Sequence, residues 1–298
     1  MENIPLFKVY MSPEAPKMVG EVLMSGMITQ SRKVEEFEEK LKEWFEWPYI
    51  LTLNSATSGL TLAYRLLDIK STDEVISTPL TCFATTCAIL AHTKNIVWAD
   101  VNTETCNIDL KDVKSKLTVN TKALSFVHWG GNPVNIDQVN ELKQYAKETF
   151  GTNLGVVEDC AHAFGSTWKN KYIGTTGNIA VFSLQAIKHL TTGDGGLIFL
   201  PNEELYNRAK LLRWYGIDRE QRSKPGTDFR LEPNIQEWGY KFHMNDINAT
   251  IGLANLSGIN TRLASNRINA KHLEKILYNC KNLVPLSTFW LSTSSYWI

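Results

Sequence analysis

The sequence predicts an α/β fold: a mostly parallel, seven-stranded sheet flanked by helices, followed by the start of a second, smaller C-terminal domain. Three observations predict it. Seven short apolar runs, ILTL (50–53), VIST (75–78), IVW (96–98), ALSFV (123–127), GVVE (155–158), IAVF (179–182) and LIF (197–199), mostly do not alternate, the pattern of strands buried on both faces. Helical stretches such as 58–67 and 136–150 separate several of them, as crossover connections require. The 298 residues exceed what one hydrophobic core usually serves.

In chain order, residues 1–30 read as an irregular arm. Val34, Phe37, Leu41, Trp44 and Phe45 then recur at three- and four-residue steps, an amphipathic helix. Strands and helices follow to residue 200, where the strands stop. Residues 203–216 read as helical, and 218–238, polar with Pro225, Gly226 and Pro233, as a long loop. Residues 246–279 carry the periodicity of one or two long helices. The arm and large domain are assigned to 1–215, and the loop and start of the small domain to 216–298.

Lysine plus arginine equals aspartate plus glutamate, 31 each, so no nucleic-acid or membrane-surface partner is expected. No apolar run approaches the roughly 18 residues of a membrane span, and the N-terminus lacks the apolar core of a signal peptide. Five cysteines without a CxxC pair read as reduced thiols in the cytoplasm, with Cys82 and Cys87 as buried small side chains rather than metal ligands. No metal site is expected.

Three segments at strand ends carry candidate chemistry, because open α/β sheets place ligands there. In VVEDCAHAFGS (156–166) a buried strand runs into Glu158 and Asp159. Such a carboxylate needs a partner, either a protonated ring nitrogen of a cofactor or, as readily, the N-terminus of a helix that it caps. In VFSLQAIKHLTTGDGGLIFL (181–200), Ser183, Lys188 and three glycines lie between two apolar strands. Most lysines are solvated, but desolvation here makes the Lys188 amine nucleophilic. In LTLNSATSGLTLAYRLL (51–67) a strand ends at Asn54 and a helix starts at Ser55–Thr57. Its free N–H groups suit a phosphate; simple capping by Ser or Thr explains the same residues.

In order along the chain, SGMITQSRKVEEFEEKL, LTLNSATSGLTLA, DEVISTPLTCFATTCAIL, VHWGGNPVNID, VVEDCAHAFGS, FSLQAIKHLTTGDGG and GYKFHMNDINATIG resemble the DegT/DnrJ/StrS family of nucleotide-sugar aminotransferases, from about Ser25 to the end. The resemblance implies the aspartate aminotransferase fold, fold type I, and pyridoxal 5'-phosphate as cofactor. By resemblance Lys188 carries the cofactor on its amine and Asp159 pairs with the ring nitrogen. Phe83 stacks on one ring face, and His162 stands near the phenolic oxygen or a ring face. Ala56, Thr57 and Ser183 bind the phosphate. The family's G-x-N-x-R-M motif reads GYKFHM here, so Lys241 takes the place of an asparagine that reaches the phosphate of the neighbouring subunit, and His243 replaces the arginine. A homodimer with shared sites follows if that contact holds.

Some relatives are dehydratases with histidine at the lysine position. The FS-x4-K spacing aligns Lys188, not His189, with that place. The expected reaction is transfer of an amino group from glutamate to a nucleotide-linked keto-deoxy sugar, a 4-keto-6-deoxyhexose. The alternatives are dehydration, or a non-catalytic cofactor-binding or regulatory homologue. In relatives a Tyr-Trp segment like TSSYWI (293–298) opens a strand of the small domain, so the chain reads as ending inside that domain.

Overall fold

The computed structural model describes residues 7–219 and 235–297. The seven apolar runs form one sheet: β1 (Ile50–Leu53), β2 (Glu74–Ser77), β3 (Ile96–Trp98), β4 (Thr121–Val127), β5 (Gly155–Asp159), β8 (Ile179–Ser183) and β9 (Gly196–Phe199), in the order β1-β9-β8-β5-β4-β2-β3. The pairs among β8, β5, β4, β2 and β3 are parallel. Strand β9 is antiparallel to both its neighbours, so it alone runs backwards. Six strands therefore end at the same edge, where β9 begins.

Alternate side chains of each strand enter opposite layers. Val156, Ala180 and Phe182 pack with Phe37, Leu41 and Phe45 of α2 (Arg32–Phe45) and with Val139 and Leu142 of α6 (Ile136–Phe150). Val157, Val181 and Ile198 pack on the other face with Leu60 and Leu62 of α3 (Ala56–Leu66), Ile89 of α4 (Phe83–Leu90) and Leu212 of α7 (Glu203–Leu212). The non-alternating composition of the strands reflects these two apolar faces. A short helix, α5 (Leu110–Lys116), lies between β3 and β4.

The arm departs from expectation. Residues Ala15–Ser25 form α1, with Pro16 in the first turn and Gly26 ending it at φ 73°. Only Ala15 and Val22 of this helix are buried, and it rests on α8 (Asp246–Leu256). A tertiary support, with no strong apolar period of its own, holds it. The stretch 246–279 is two helices, α8 and α9 (Ile259–Leu277). Strands also recur after residue 200: β10 (Ser292–Thr293) pairs with β6 (Thr167–Trp168), which pairs with β7 (Lys171–Tyr172), in a three-stranded sheet. Lys169 and Asn170, at φ 48° and 64°, form the tight turn of that hairpin. Of the loop expected over 218–238, residues 220–234 lie outside the described residues. Cys82 and Cys87 are exposed, correcting their reading as buried; Cys160 is buried. Among the described residues no helix is long and apolar enough to cross a membrane.

Candidate active site

The carboxyl edge of the sheet gathers the three segments. Asp159 closes β5, Ser183 closes β8, and Gly196 opens β9 between Ser183 and Leu53 in register. A side-chain carbon on Gly196 would lie 2.5 Å from Ser55 C and 2.6 Å from Ala56 N. Glycine there lets the first residues of α3 settle against the start of β9, where Gly196 pairs with Ser183 at the end of β8. Ser55 caps α3, its Oγ accepting from Ser58 N–H at 3.1 Å. Capping and anion binding are compatible, because other first-turn N–H groups have no carbonyl partner within the helix.

The two adjacent carboxylates of β5 have separate roles. Glu158 is fully buried and spent: it faces His128 Nε2 at 2.9 Å and accepts from Thr176 Oγ1 at 3.0 Å and Asn178 Nδ2 at 2.7 Å. His128 Nδ1 accepts from Val134 N–H at 3.0 Å, so the proton sits on Nε2 and is donated to Glu158. Burial pushes the Glu158 carboxyl up, but these donors outweigh it and hold it below its ordinary value. Asp159 is only 3% exposed and has two donors: Thr85 Oγ1 at 2.6 Å on Oδ2 and Ala161 N–H at 3.0 Å on Oδ1. Burial leaves its carboxyl above the ordinary range, against those bonds and the charge of Lys188. No helix follows β5, so capping is not what Asp159 does.

Lys188 stands in the loop between β8 and β9. Burial lowers its pKa, the charge of Asp159 opposing. Its Nζ lies 3.8 Å from the centroid of the Trp297 ring. Neighbouring His189 is buried and faces the Ser295 carbonyl at 3.3 Å, leaving Lys188 as the amine at the edge. His162 Nδ1 accepts from Gly130 N–H at 3.3 Å, which puts the proton of the neutral ring on Nε2. Burial, aided by the charge of Lys188, pushes its pKa down to about 3. Phe83 opens α4 and is 68% exposed, at the start of the helix that carries Thr85. Lys241 is exposed, and its carbonyl accepts from Asn54 Nδ2 at 3.3 Å, next to the start of α3 in its own chain. The His243 position pairs with Leu53 in an isolated bridge.

Two residues of the site escaped the sequence reading. Thr85 lies in the TCFATTCA segment, but nothing local marks which threonine meets the carboxylate. Trp297 lies about 110 positions beyond Lys188, and its Nε1–H donates to the Ile187 carbonyl at 3.1 Å.

The donor set fits pyridoxal phosphate. A desolvated amine and a desolvated carboxylate share one edge, the start of α3 lies against that edge at Gly196, and the aromatic side chain of Phe83 is exposed.

Residues 10–298 match the model of the DegT/DnrJ/EryC1/StrS aminotransferase family. The chain is 34% identical to GDP-perosamine synthase of Escherichia coli O157:H7 over 261 residues, 86% of this chain and 66% of that protein. It thus spans less than two thirds of the curated relative's length. CalS13, a sugar aminotransferase from Micromonospora echinospora, superposes with TM-score 0.93 at 36% identity, covering 99% of this chain and 79% of that one. Spr1654 from Streptococcus pneumoniae, solved in a PLP-form, superposes with TM-score 0.87 at 25% identity, covering 99% and 76%. The fold is fold type I of the pyridoxal-phosphate-dependent aminotransferases. The chain belongs to the DegT/DnrJ/EryC1/StrS aminotransferase family.

Proposed function

We propose that the protein is a pyridoxal-phosphate-dependent aminotransferase that moves an amino group from glutamate to the keto group of a nucleotide-linked deoxy sugar, a 4-keto-6-deoxyhexose. The observation that carries the reading is that Lys188 and Asp159, a half-buried amine and a buried carboxylate, stand at one sheet edge near enough for their charges to act on each other. When bound, pyridoxal phosphate supplies a ring that draws electrons from the amino-bearing carbon and makes its proton labile.

The chain's own residues divide the remaining work. Asp159 holds a proton on the ring nitrogen by charge pairing in a dry setting. First-turn N–H groups of Ala56 and Thr57, with the Ser183 hydroxyl, hold the phosphate. Phe83 covers one ring face. His162, kept neutral, donates from Nε2. Lys188 takes up and returns the proton at the amino-bearing carbon, a role favoured by an amine whose pKa lies below the ordinary lysine value. Lys241 neutralises the phosphate of a neighbouring subunit as a point charge, which makes the working unit a homodimer.

The test is an absorbance titration with pyridoxal phosphate, then glutamate, of the wild type beside Lys188→Ala. The reading expects a visible band in the wild type only, which glutamate bleaches as 2-oxoglutarate appears. No Lys188-dependent band would sink it, and a band that glutamate leaves untouched would rule out glutamate as donor.

A further inference from the structure

Asp159 ends a chain of hydroxyls. Thr85 Oγ1 lies 2.6 Å from Asp159 Oδ2, and Thr81 Oγ1 lies 2.8 Å from Thr85 Oγ1. A threonine has one hydroxyl proton. An ionised Asp159 can only accept, so the Thr85 proton goes to it, and Thr81 must then donate to Thr85. The relay runs Thr81 to Thr85 to Asp159. Thr85 is fully buried in the first turn of α4, and no other side chain donates to either Asp159 oxygen among the described residues. The backbone N–H of Ala161 takes the other oxygen. A carboxylate has about four lone-pair sites, so two are left for the ring nitrogen.

We propose that Thr85, backed by Thr81, is a positioning residue for the cofactor: the relay keeps Asp159 charged and fixes the plane of its carboxylate toward the ring nitrogen. The inference rests on the reading of Asp159 as partner of that nitrogen. Its physical basis is a contest. Burial disfavours the charged carboxylate, and each donated hydrogen bond favours it. A donor whose own oxygen accepts a further bond is polarised and donates more strongly. The site needs the charged form, because a neutral acid at this place gives a protonated ring nitrogen no counter-charge. Thr85 also shares the first turn of α4 with Phe83, so one helix start sets both the ring-stacking side chain and the donor that governs the carboxylate.

The experiment compares wild type with Thr85→Val, Thr85→Ser and Thr81→Val. The side-chain carboxyl of Asp159 is followed by carbon NMR across pH in the cofactor-free protein and assigned with Asp159→Asn. The dissociation constant for pyridoxal phosphate is measured separately across the same pH range. The proposal expects the carboxyl of Thr85→Val to titrate about one pH unit or more higher, a tenfold change in proton affinity. Thr85→Ser restores the wild-type value, and Thr81→Val shifts it less. The acid-side loss of cofactor affinity moves to higher pH in the same order. An unchanged Asp159 titration in Thr85→Val, with only a lowered melting temperature, would overturn the proposal and leave Thr85 as packing. If the wild type does not bind pyridoxal phosphate, the functional reading fails, while the carboxyl titration still decides the relay.

Discussion

The indole of Trp297 lies flat on the imidazole of His162, ring centroids 3.9 Å apart and planes 8° from parallel. The stack is fixed from both sides. Trp297 N–H donates to the Gly130 carbonyl at 3.0 Å, and Gly130 N–H donates to His162 Nδ1 at 3.3 Å. Ser295 Oγ donates to the His162 carbonyl at 2.9 Å. The segment 294–297 therefore closes over the candidate site, and the Trp297 ring touches both a ring that stays neutral and the Lys188 amine.

Trp297→Ala removes this cover. Water then reaches the His162 ring, and the desolvation that drives its pKa down to about 3 is relieved. The imidazole of the variant is expected to titrate about one unit or more higher, read from the proton shift of its C–H in NMR. The Lys188 amine also loses a cation–π contact of about 0.5–2 kcal/mol. An unmoved His162 titration would show that the fold itself, and not the indole, keeps the ring dry.

Acid should destabilise the cofactor-free protein through its buried histidines. His162 and His189 have pKa values pushed down to about 3 and about 4 from an unfolded value of 6.5, burial being the main cause in both. Below pH 6.5 the unfolded chain takes up protons that the folded chain refuses. Their contribution is fully present above about pH 6.5 and is lost as pH falls toward 4. Each imidazole adds a slope approaching 1.4 kcal/mol per pH unit inside that window. Asp159, whose carboxyl is raised, works in the opposite direction nearer the ordinary carboxylate range. Denaturant unfolding at pH 7 and pH 5 measures the slope, and His189→Gln should make it shallower by about one proton's worth. Equal slopes in variant and wild type would contradict the assignment.

The strands were legible because a sheet covered on both faces writes itself as Ile, Val and Leu runs; Asp159 and Ser183 lie at the ends of those runs, and Lys188 in the loop between two of them. The arm was not legible as a helix: α1 buries only Ala15 and Val22 and depends on α8, a partner more than 200 positions away. The hairpin of β6 and β7 has strands of two residues, too short for an alternating pattern to register. Trp297 belongs to the site through contacts with Ile187, Gly130 and His162, and separations above 100 positions leave no spacing to read. Thr85 was visible as a residue but not as a donor, since its partner is 74 positions on.

Asp246 caps α2 from across the chain. Its carboxylate accepts from Ser31 N–H at 2.7 Å, Lys33 N–H at 3.2 Å and Val34 N–H at 3.2 Å, while Ser31 at the N-cap position makes no side-chain cap. Asp246→Ala leaves these donors without an acceptor and removes a negative charge from a helix start. A loss of about 1–3 kcal/mol is expected, seen as a lower denaturant midpoint at unchanged slope. Asp246→Asn keeps one acceptor oxygen and should fall between. If the alanine variant unfolds like the wild type, water replaces the carboxylate at no cost and the long-range cap is not a stabilising contact.

Gly196 gives the sharpest test of the phosphate position. A methyl there meets backbone, Ser55 C at 2.5 Å and Ala56 N at 2.6 Å, so no side-chain rotation relieves the clash. The start of α3 must move away from Gly196, which pairs with Ser183, and so the two parts assigned to the phosphate are drawn apart. Gly196→Ala is expected to cost about 1–3 kcal/mol of stability from overpacking. It should also weaken pyridoxal phosphate binding by more than it weakens pyridoxal, which lacks the phosphate. The two dissociation constants, measured by absorbance on variant and wild type at a temperature where both are folded, separate these effects. A parallel loss for both ligands would mean that the methyl disturbs the ring position or the whole edge, and that the phosphate is not held where α3 meets β8. A selective loss for the phosphorylated ligand would place the anion at the junction that Gly196 keeps open.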